Sequence, residues 1–285
     1  MSKITKVPEI SFLLAHNDRE LCFPEAAQDS IDLWWVPVPD VSVSSLYSHY
    51  HDVLSAPEHQ RFLSQRLPKG QLQFLITRIV LRYLLSVYHP DTHPAQWIFG
   101  KSETGRPQVD QSQSSLQFNL THTGKLLLIA VTGSGAPGVD AEVLGRNACV
   151  AEIAQRYFSR TEALQILDAA PEIRNELFLR IWTLKEAAVK ATGLGLSRAL
   201  RRFCFTSPMT KNFLFTDDFS KEKDEAMKFG FWSTTVDQHV VGVCLASADS
   251  TSAVNVRIKS RQLVWPTSDY RGTVSTLDLH WCQSH

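Results

Sequence analysis

The chain has 285 residues, 44% hydrophobic and 20% charged, enough for one large domain or two small ones around a substantial core. Its 29 basic residues equal its 29 acidic ones, so bulk charge gives no argument for a nucleic-acid or membrane partner. Five scattered cysteines (Cys22, Cys149, Cys204, Cys244 and Cys282) make no CxxC or His/Cys pair of the kind that holds zinc, and read as free thiols in a reducing compartment.

Lys3 and Lys6 precede no long apolar run, and no uninterrupted apolar stretch approaches a membrane span, so the expectation is a soluble cytosolic protein without a signal peptide. Ile31 to Val38 is rich in β-formers and reads as a strand. Pro57-Glu58 opens a short helix that Pro68 and Gly70 are expected to interrupt. From Leu72 to Tyr88, apolar residues recur at helical spacing, with Arg78 and Arg82 on another face and Pro90 just beyond the end. Trp97 to Phe99 reads as a short strand before the turn Glu103–Pro107. Leu116–Leu120 and Leu126–Val131 read as two more strands, with His122 in the turn between them.

Thr132 to Pro137 is a small-residue linker, followed by a strand that delivers Asp140. A helix over Val150–Tyr157 is followed by the capping-box pattern Ser159-Arg160-Thr161-Glu162, which starts another. A third helix runs from about Glu172 to Ala191 and stops at Gly193 and Gly195. Strands are expected at Arg202–Phe205, Phe229–Val236, Val240–Ala246 and Val254–Ile258. The fold class is α+β, built from two similar α/β halves, a pseudo-dimer, each with antiparallel strands against helices. No direct sequence repeat is visible. The divisions are 1–136, 137–262, and a tail, 263–285, with no assigned structure.

Chemistry concentrates in two places. On a strand, Asp140 and Glu142 project to one face with Ala141 turned away. Taken alone, the pair is a solvated strand end. In Trp182-Thr183-Leu184-Lys185-Glu186-Ala187-Ala188-Val189-Lys190, helical spacing puts Trp182, Glu186 and Lys190 on one face. Taken alone, Glu186 and Lys190 are an exposed i,i+4 pair. Together, three carboxylates and a lysine point to a magnesium–diphosphate site, because oxygen ligands suit a hard cation and a lysine stabilises charge on a leaving phosphate. Thr121, His122 and Thr123 offer phosphate donors, and Pro107 presents Arg106 from a rigid loop.

In order, these pieces resemble the surfactin-synthetase-activating type of 4′-phosphopantetheinyl transferase. The matching segments are Thr104–Pro107, Phe118–Thr123, Gly138–Glu142, Tyr157–Glu162 and Trp182–Lys190. The acid pair followed by W-x-x-K-E-x-x-x-K carries most of the likeness. The clear resemblance covers about Glu103 to Phe205, is looser from Pro57 to Tyr88, and is absent at both ends. It implies an enzyme that moves the phosphopantetheine arm of coenzyme A to a serine of an apo carrier protein of fatty acid, polyketide or peptide synthesis, leaving adenosine 3′,5′-bisphosphate. Asp140, Glu142 and Glu186 would bind Mg²⁺, and Lys190 would contact the phosphates. His122 would meet the 3′-phosphate, Arg106 and Thr121 would line the coenzyme A site, and Lys185 would hold the helix or touch phosphate. Glu186 or a metal-bound water would take the serine proton. Gln73 stands where the family often has an arginine for the 3′-phosphate, with Arg66, Lys69 or Arg78 as substitutes. An acidic carrier protein implies a basic patch, for which Arg156, Arg160, Lys185, Arg198, Arg201 and Arg202 are candidates. A monomer is expected. The competing readings are another Mg²⁺-dependent transferase acting on a nucleotide diphosphate, and a non-catalytic homologue that binds carrier protein.

Overall fold

The computed structural model describes residues 30–103, 105–145, 149–195, 200–217, 227–248, 256–264 and 273–284. The first half contains β1 (Ser30–Pro37), α1 (Val43–Tyr50), α2 (Ala56–Ser64), α3 (Pro68–Tyr88), β2 (Phe99–Lys101), β3 (Pro107–Val109), β4 (Gln117–Thr123) and β5 (Leu126–Thr132). The second contains β6 (Ala136–Val143), α4 (Val150–Tyr157), α5 (Arg160–Asp168), α6 (Pro171–Thr192), β7 (Phe203–Thr206), β8 (Asn212–Asp217), β9 (Lys228–Val236) and β10 (His239–Ser247). Then come β11 (Arg257–Val264), β12 (Thr273–Leu277) and β13 (Cys282–Ser284).

The expected duplication is visible as topology. In the first half, β1 pairs antiparallel with β5, and β5 with β4. In the second, β6 pairs antiparallel with β10, and β10 with β9. Each half sends a long helix across its sheet, of 21 residues in α3 and 22 in α6, and each helix has proline in its first turn. The mixed α+β class therefore holds, with mostly antiparallel pairing.

The layers follow from strand alternation. On β1, Trp34 and Val36 face the cluster under α3, while Ile31, Leu33 and Trp35 face a cluster shared with the second sheet. On β10, Val240, Cys244 and Ala246 face α6, while Val241, Val243 and Leu245 face the first sheet. The order is thus helix, sheet, sheet, helix. Central strands are covered on both faces, which is why β5 and β10 read as almost unbroken apolar runs.

Several sequence expectations are corrected. Pro68 does not interrupt a helix but starts α3, since the missing proline N–H costs nothing in a first turn and its fixed φ suits the helix. The stretch before it, α2, ends at Ser64. β11 starts later than expected, at Arg257, and pairs parallel with β1. It straddles the expected division at 262, and β12 from the expected tail pairs with it, so both belong to the first half's sheet. β13 inserts between β9 and β8 in the other sheet. α1 and β8 carried no sequence expectation.

Candidate active site

Asp140 sits on β6 opposite Gly242 of β10, on the face that receives α6. The helix lies unusually close to the sheet there. A Cβ at Gly242 would stand 2.5 Å from the Thr183 carbonyl carbon, and one at Gly138 would collide with the Ala187 carbonyl oxygen. Two glycines on neighbouring strands thus form the bed for α6. That bed brings Glu186 and Lys190, one turn apart, down onto Asp140.

Lys190 Nζ lies 2.8 Å from Asp140 Oδ1 and donates to the Val139 carbonyl at 3.0 Å. Thr121 Oγ1, from β4 of the first half, donates to the same Asp140 oxygen at 3.1 Å. Asp140 Oδ2 is buried with no hydrogen-bond partner among the described residues. The Glu186 carboxyl is pushed above its usual range, first by burial, then by the charge of Asp140 and, less, of Glu142, with Lys190 opposing. The three expected acids therefore share one electrostatic neighbourhood.

An all-carboxylate set with an orphaned buried oxygen fits a hard divalent cation in donor chemistry. Among the described residues, however, no group of three or more His, Cys, Asp or Glu side chains is arranged to hold a metal ion. The positive charge at Asp140 is supplied instead by Lys190.

His122 is not in a turn. It is on β4, and Gly124, with φ +58°, makes the reversal two residues later. Alternation then separates the three expected donors. Thr121 points to Asp140, whereas His122 points to α3, where Nε2 is 2.7 Å from Thr77 Oγ1. Burial, and secondarily the charge of Lys190, push the His122 imidazole down to about 4. Arg106 bridges the halves, donating to the Phe118 carbonyl at 3.0 Å and the Ala191 carbonyl at 3.4 Å. Thr104 of the same motif lies outside the described residues.

Lys185 requires a correction. Its side chain is fully buried, on the side of α6 away from the acids. Nζ pairs with Glu162 Oε2 at 3.0 Å, donates to the carbonyls of Leu200 and Phe203, and lies near the faces of Phe158 and Phe205. Glu162 completes the capping box of α5, accepting from the Ser159 amide, and also accepts from the Phe205 amide. An ammonium saturated in this way does not reach a phosphate.

The other basic candidates divide. Arg78 is committed to Glu58, 3.6 Å away, and to the rings of Phe74 and Phe99, while Arg66 and Lys69 are exposed. Arg202 is held bidentate by Asp217. Arg156, Arg160 and Arg201 are exposed, and Arg198 lies outside the described residues. Thr77 and Gly242 were not anticipated. A threonine one helical turn after Gln73, and a glycine inside an apolar strand run, were the available signals.

Comparison with known proteins decides the family. Residues 136–244 match the model of the 4′-phosphopantetheinyl transferase superfamily. The 4′-phosphopantetheinyl transferase HetI of Nostoc is 30% identical over 174 residues, which are 60% of this chain and 71% of that protein. The chain belongs to the 4′-phosphopantetheinyl transferase superfamily. AcpT of Escherichia coli K12, named for the same activity, is 32% identical over 142 residues, 49% of this chain and 68% of its own. A putative 4′-phosphopantetheinyl transferase of Synechocystis is 34% identical over 154 residues, 54% of this chain, and the chain spans 62% of its length. The superfamily is one of transferases. Its match here runs from β6 to β10, so it takes in Asp140, Glu142, Glu186 and Lys190 and leaves Arg106, Thr121 and His122 outside.

Proposed function

We propose that this chain transfers the 4′-phosphopantetheine arm of coenzyme A to a serine hydroxyl of an apo acyl or peptidyl carrier protein, in a Mg²⁺-dependent reaction that releases adenosine 3′,5′-bisphosphate. The observation that carries the reading is the contact of Lys190 with Asp140 beside the carboxyls of Glu186 and Glu142. A lysine and three acids on one helix–strand seam are what a diphosphate with its metal needs.

Asp140, Glu142 and Glu186 would hold the magnesium, which when bound neutralises the diphosphate oxygens. Lys190 steadies the phosphate that leaves with adenosine 3′,5′-bisphosphate. The serine oxygen forms its new bond to the phosphorus of the pantetheine-side phosphate as the bridging P–O bond breaks. Glu186, or a water held by the metal, would take the serine proton. His122 and Arg106 line the coenzyme A side from the first half. Because one chain supplies both walls, a monomer suffices. Arg156, Arg160 and Arg201 are the exposed cations available to an acidic carrier protein.

The test is intact-mass spectrometry of an apo carrier protein incubated with this protein, coenzyme A and Mg²⁺. The expected result is a mass gain of one phosphopantetheine, abolished by EDTA and by Glu186→Ala. A Glu186→Ala variant that transfers at the wild-type rate refutes the site, and a wild-type protein that binds carrier protein without modifying it refutes the reaction.

A further inference from the structure

β6 carries Asp140 along the seam between the halves, and it ends its sheet: β10 pairs with one side of it, while β4 ends the sheet of the other half. In an antiparallel pair, the N–H and C=O of one residue point to the same side. Those of Val139 point away from β10, although Val139 is fully buried. Buried backbone groups need partners, and among the described residues no strand supplies them here. Two side chains do. Asn119 Oδ1 of β4 accepts from the Val139 amide at 3.1 Å, and Lys190 Nζ of α6 donates to the Val139 carbonyl at 3.0 Å. Because the backbone amide donates, the Asn119 atom that meets it is the oxygen, which fixes how the carboxamide is turned.

The place of Asn119 in β4 has the same explanation. Phe118 and Leu120 face the cluster under α3, so Asn119 and Thr121 face the second sheet. Their partners across the strand pair, Ala130 and Leu128, belong to the apolar cluster between the sheets. Asn119 and Thr121 are nonetheless buried, 8% and 7% exposed. These two polar residues in an apolar layer reach one dipeptide: Asn119 holds the backbone of Val139, and Thr121 the carboxylate of Asp140.

We propose that Asn119 is a positioning residue for Asp140. It locks the Val139 backbone from the first half while Lys190 locks it from α6, so that Asp140, the next residue, presents its carboxylate from one backbone position. This rests on the phosphopantetheinyl-transfer reading above, in which Asp140 is a magnesium ligand. Without the Asn119 oxygen, the Val139 amide is stranded and the edge of β6 must shift to find another partner. Asp140 moves with it, relative to Glu186. Only a fraction of molecules then offers the competent set of acids, and apparent cation affinity falls by that fraction.

The experiment compares Asn119→Leu, which keeps the volume and removes the accepting oxygen, with Asn119→Asp, which keeps the oxygen. Mn²⁺ binding to the full-length protein, measured by calorimetry, should weaken about tenfold in Asn119→Leu. The Mg²⁺ concentration that half-saturates carrier-protein modification should rise by the same factor. Hydrogen exchange of the Val139 amide, followed by NMR, should be slow in wild type and fast in Asn119→Leu. Asn119→Asp should restore slow exchange and bind Mn²⁺ at least as tightly as wild type. Lys185→Met, destabilised at a place remote from the acids, separates position from stability and should keep the wild-type Mn²⁺ affinity. Wild-type Mn²⁺ affinity in Asn119→Leu overturns the proposal, as does slow Val139 exchange in that variant. An Asn119→Asp variant that behaves like Asn119→Leu, or an equal loss of affinity in Lys185→Met, also overturns it. If wild type modifies no carrier protein, the functional reading fails, while Mn²⁺ affinity and Val139 exchange still decide the role of Asn119.

Discussion

The ammonium of Lys190 lies 2.8 Å from Asp140 Oδ1, and the other oxygen of that carboxylate is buried without a hydrogen-bond partner among the described residues. One oxygen is thus engaged by a cation that belongs to the protein, and the other meets no such partner among the described residues. Glu186 and Glu142 bring further negative charge to the same place, at an electrostatic cost that burial of Glu186 increases.

Removing the internal cation tests this division. In Lys190→Met, Asp140 keeps only the Thr121 hydrogen bond and the acids lose their countercharge. Divalent-cation binding, measured by calorimetry, is expected to persist or tighten, because the competing ammonium is gone. Turnover is expected to fall about hundredfold or more, since the charge on the departing phosphate loses its partner. Loss of cation binding together with turnover would mean that Lys190 organises the acids rather than serving the phosphate.

Lys185 and Glu162 make the opposite kind of pair, fully buried and remote from the chemistry. Burial pushes the Glu162 carboxyl up, opposed chiefly by the charge of Lys185. Lys185→Met should cost about 3–5 kcal/mol in urea denaturation, because it strands a buried carboxylate. Adding Glu162→Gln, which keeps the cap on α5, should recover much of that loss. The double variant should keep the wild-type KM for coenzyme A. A raised KM in a stable double variant would return Lys185 to the phosphate site.

The uneven reach of the sequence has a physical basis. α3, α6 and the capped start of α5 were readable because periodicity and capping are local. Asp140, Glu186 and Lys190 were readable as a set because a charge on an otherwise apolar helix or strand needs a reason. Lys185 meets the same criterion, and the sequence leaves it between holding the helix and touching phosphate, because its partner Glu162 lies on the preceding helix and sequence spacing does not report that contact. β13 spans three residues and exists through its pairing with β9 and β8. β11 gains its place from a parallel partnership with β1 at the other end of the chain. The Thr–His–Thr–Gly run looks polar throughout and suggests a turn at His122, although its alternating burial is that of a strand.

The buried state of His122 makes a pH prediction. Its folded pKa of about 4 lies below the ordinary 6.5, so between these values the unfolded chain binds a proton that the folded one refuses. The stability this adds is complete above about pH 6.5 and is lost as pH falls through about 4. Its upper bound is about 3 kcal/mol, reduced by the ring's partial exposure. Denaturation of ligand-free protein between pH 7.5 and 4 should show this slope, and His122→Gln should remove it. The charged or polar groups on the ring are Lys190 from α6 and Thr77 from α3, so Lys190→Met should shallow the same slope.

The bed of α6 gives the last test. Gly242 faces the backbone of Thr183, and the space for a methyl group is missing: a Cβ would lie 2.5 Å from the carbonyl carbon and 2.6 Å from both the Leu184 nitrogen and the Thr183 oxygen. Backbone cannot swing aside as a side chain can, so Gly242→Ala must lift the helix from the sheet. Overpacking of this kind costs about 1–3 kcal/mol. The functional cost should be larger than the loss of stability suggests, because Glu186 follows directly on the displaced turn and must meet Asp140 across the seam. A displacement of about 1 Å in a positioned group lowers turnover about hundredfold. Gly100 is the matched control, since a Cβ there meets nothing within 4 Å. Gly100→Ala should leave both denaturation midpoint and turnover near wild type, whereas Gly242→Ala should lower both. Wild-type turnover in a folded Gly242→Ala variant would show that the site tolerates a shifted α6, and that the close approach of helix and strand serves packing alone.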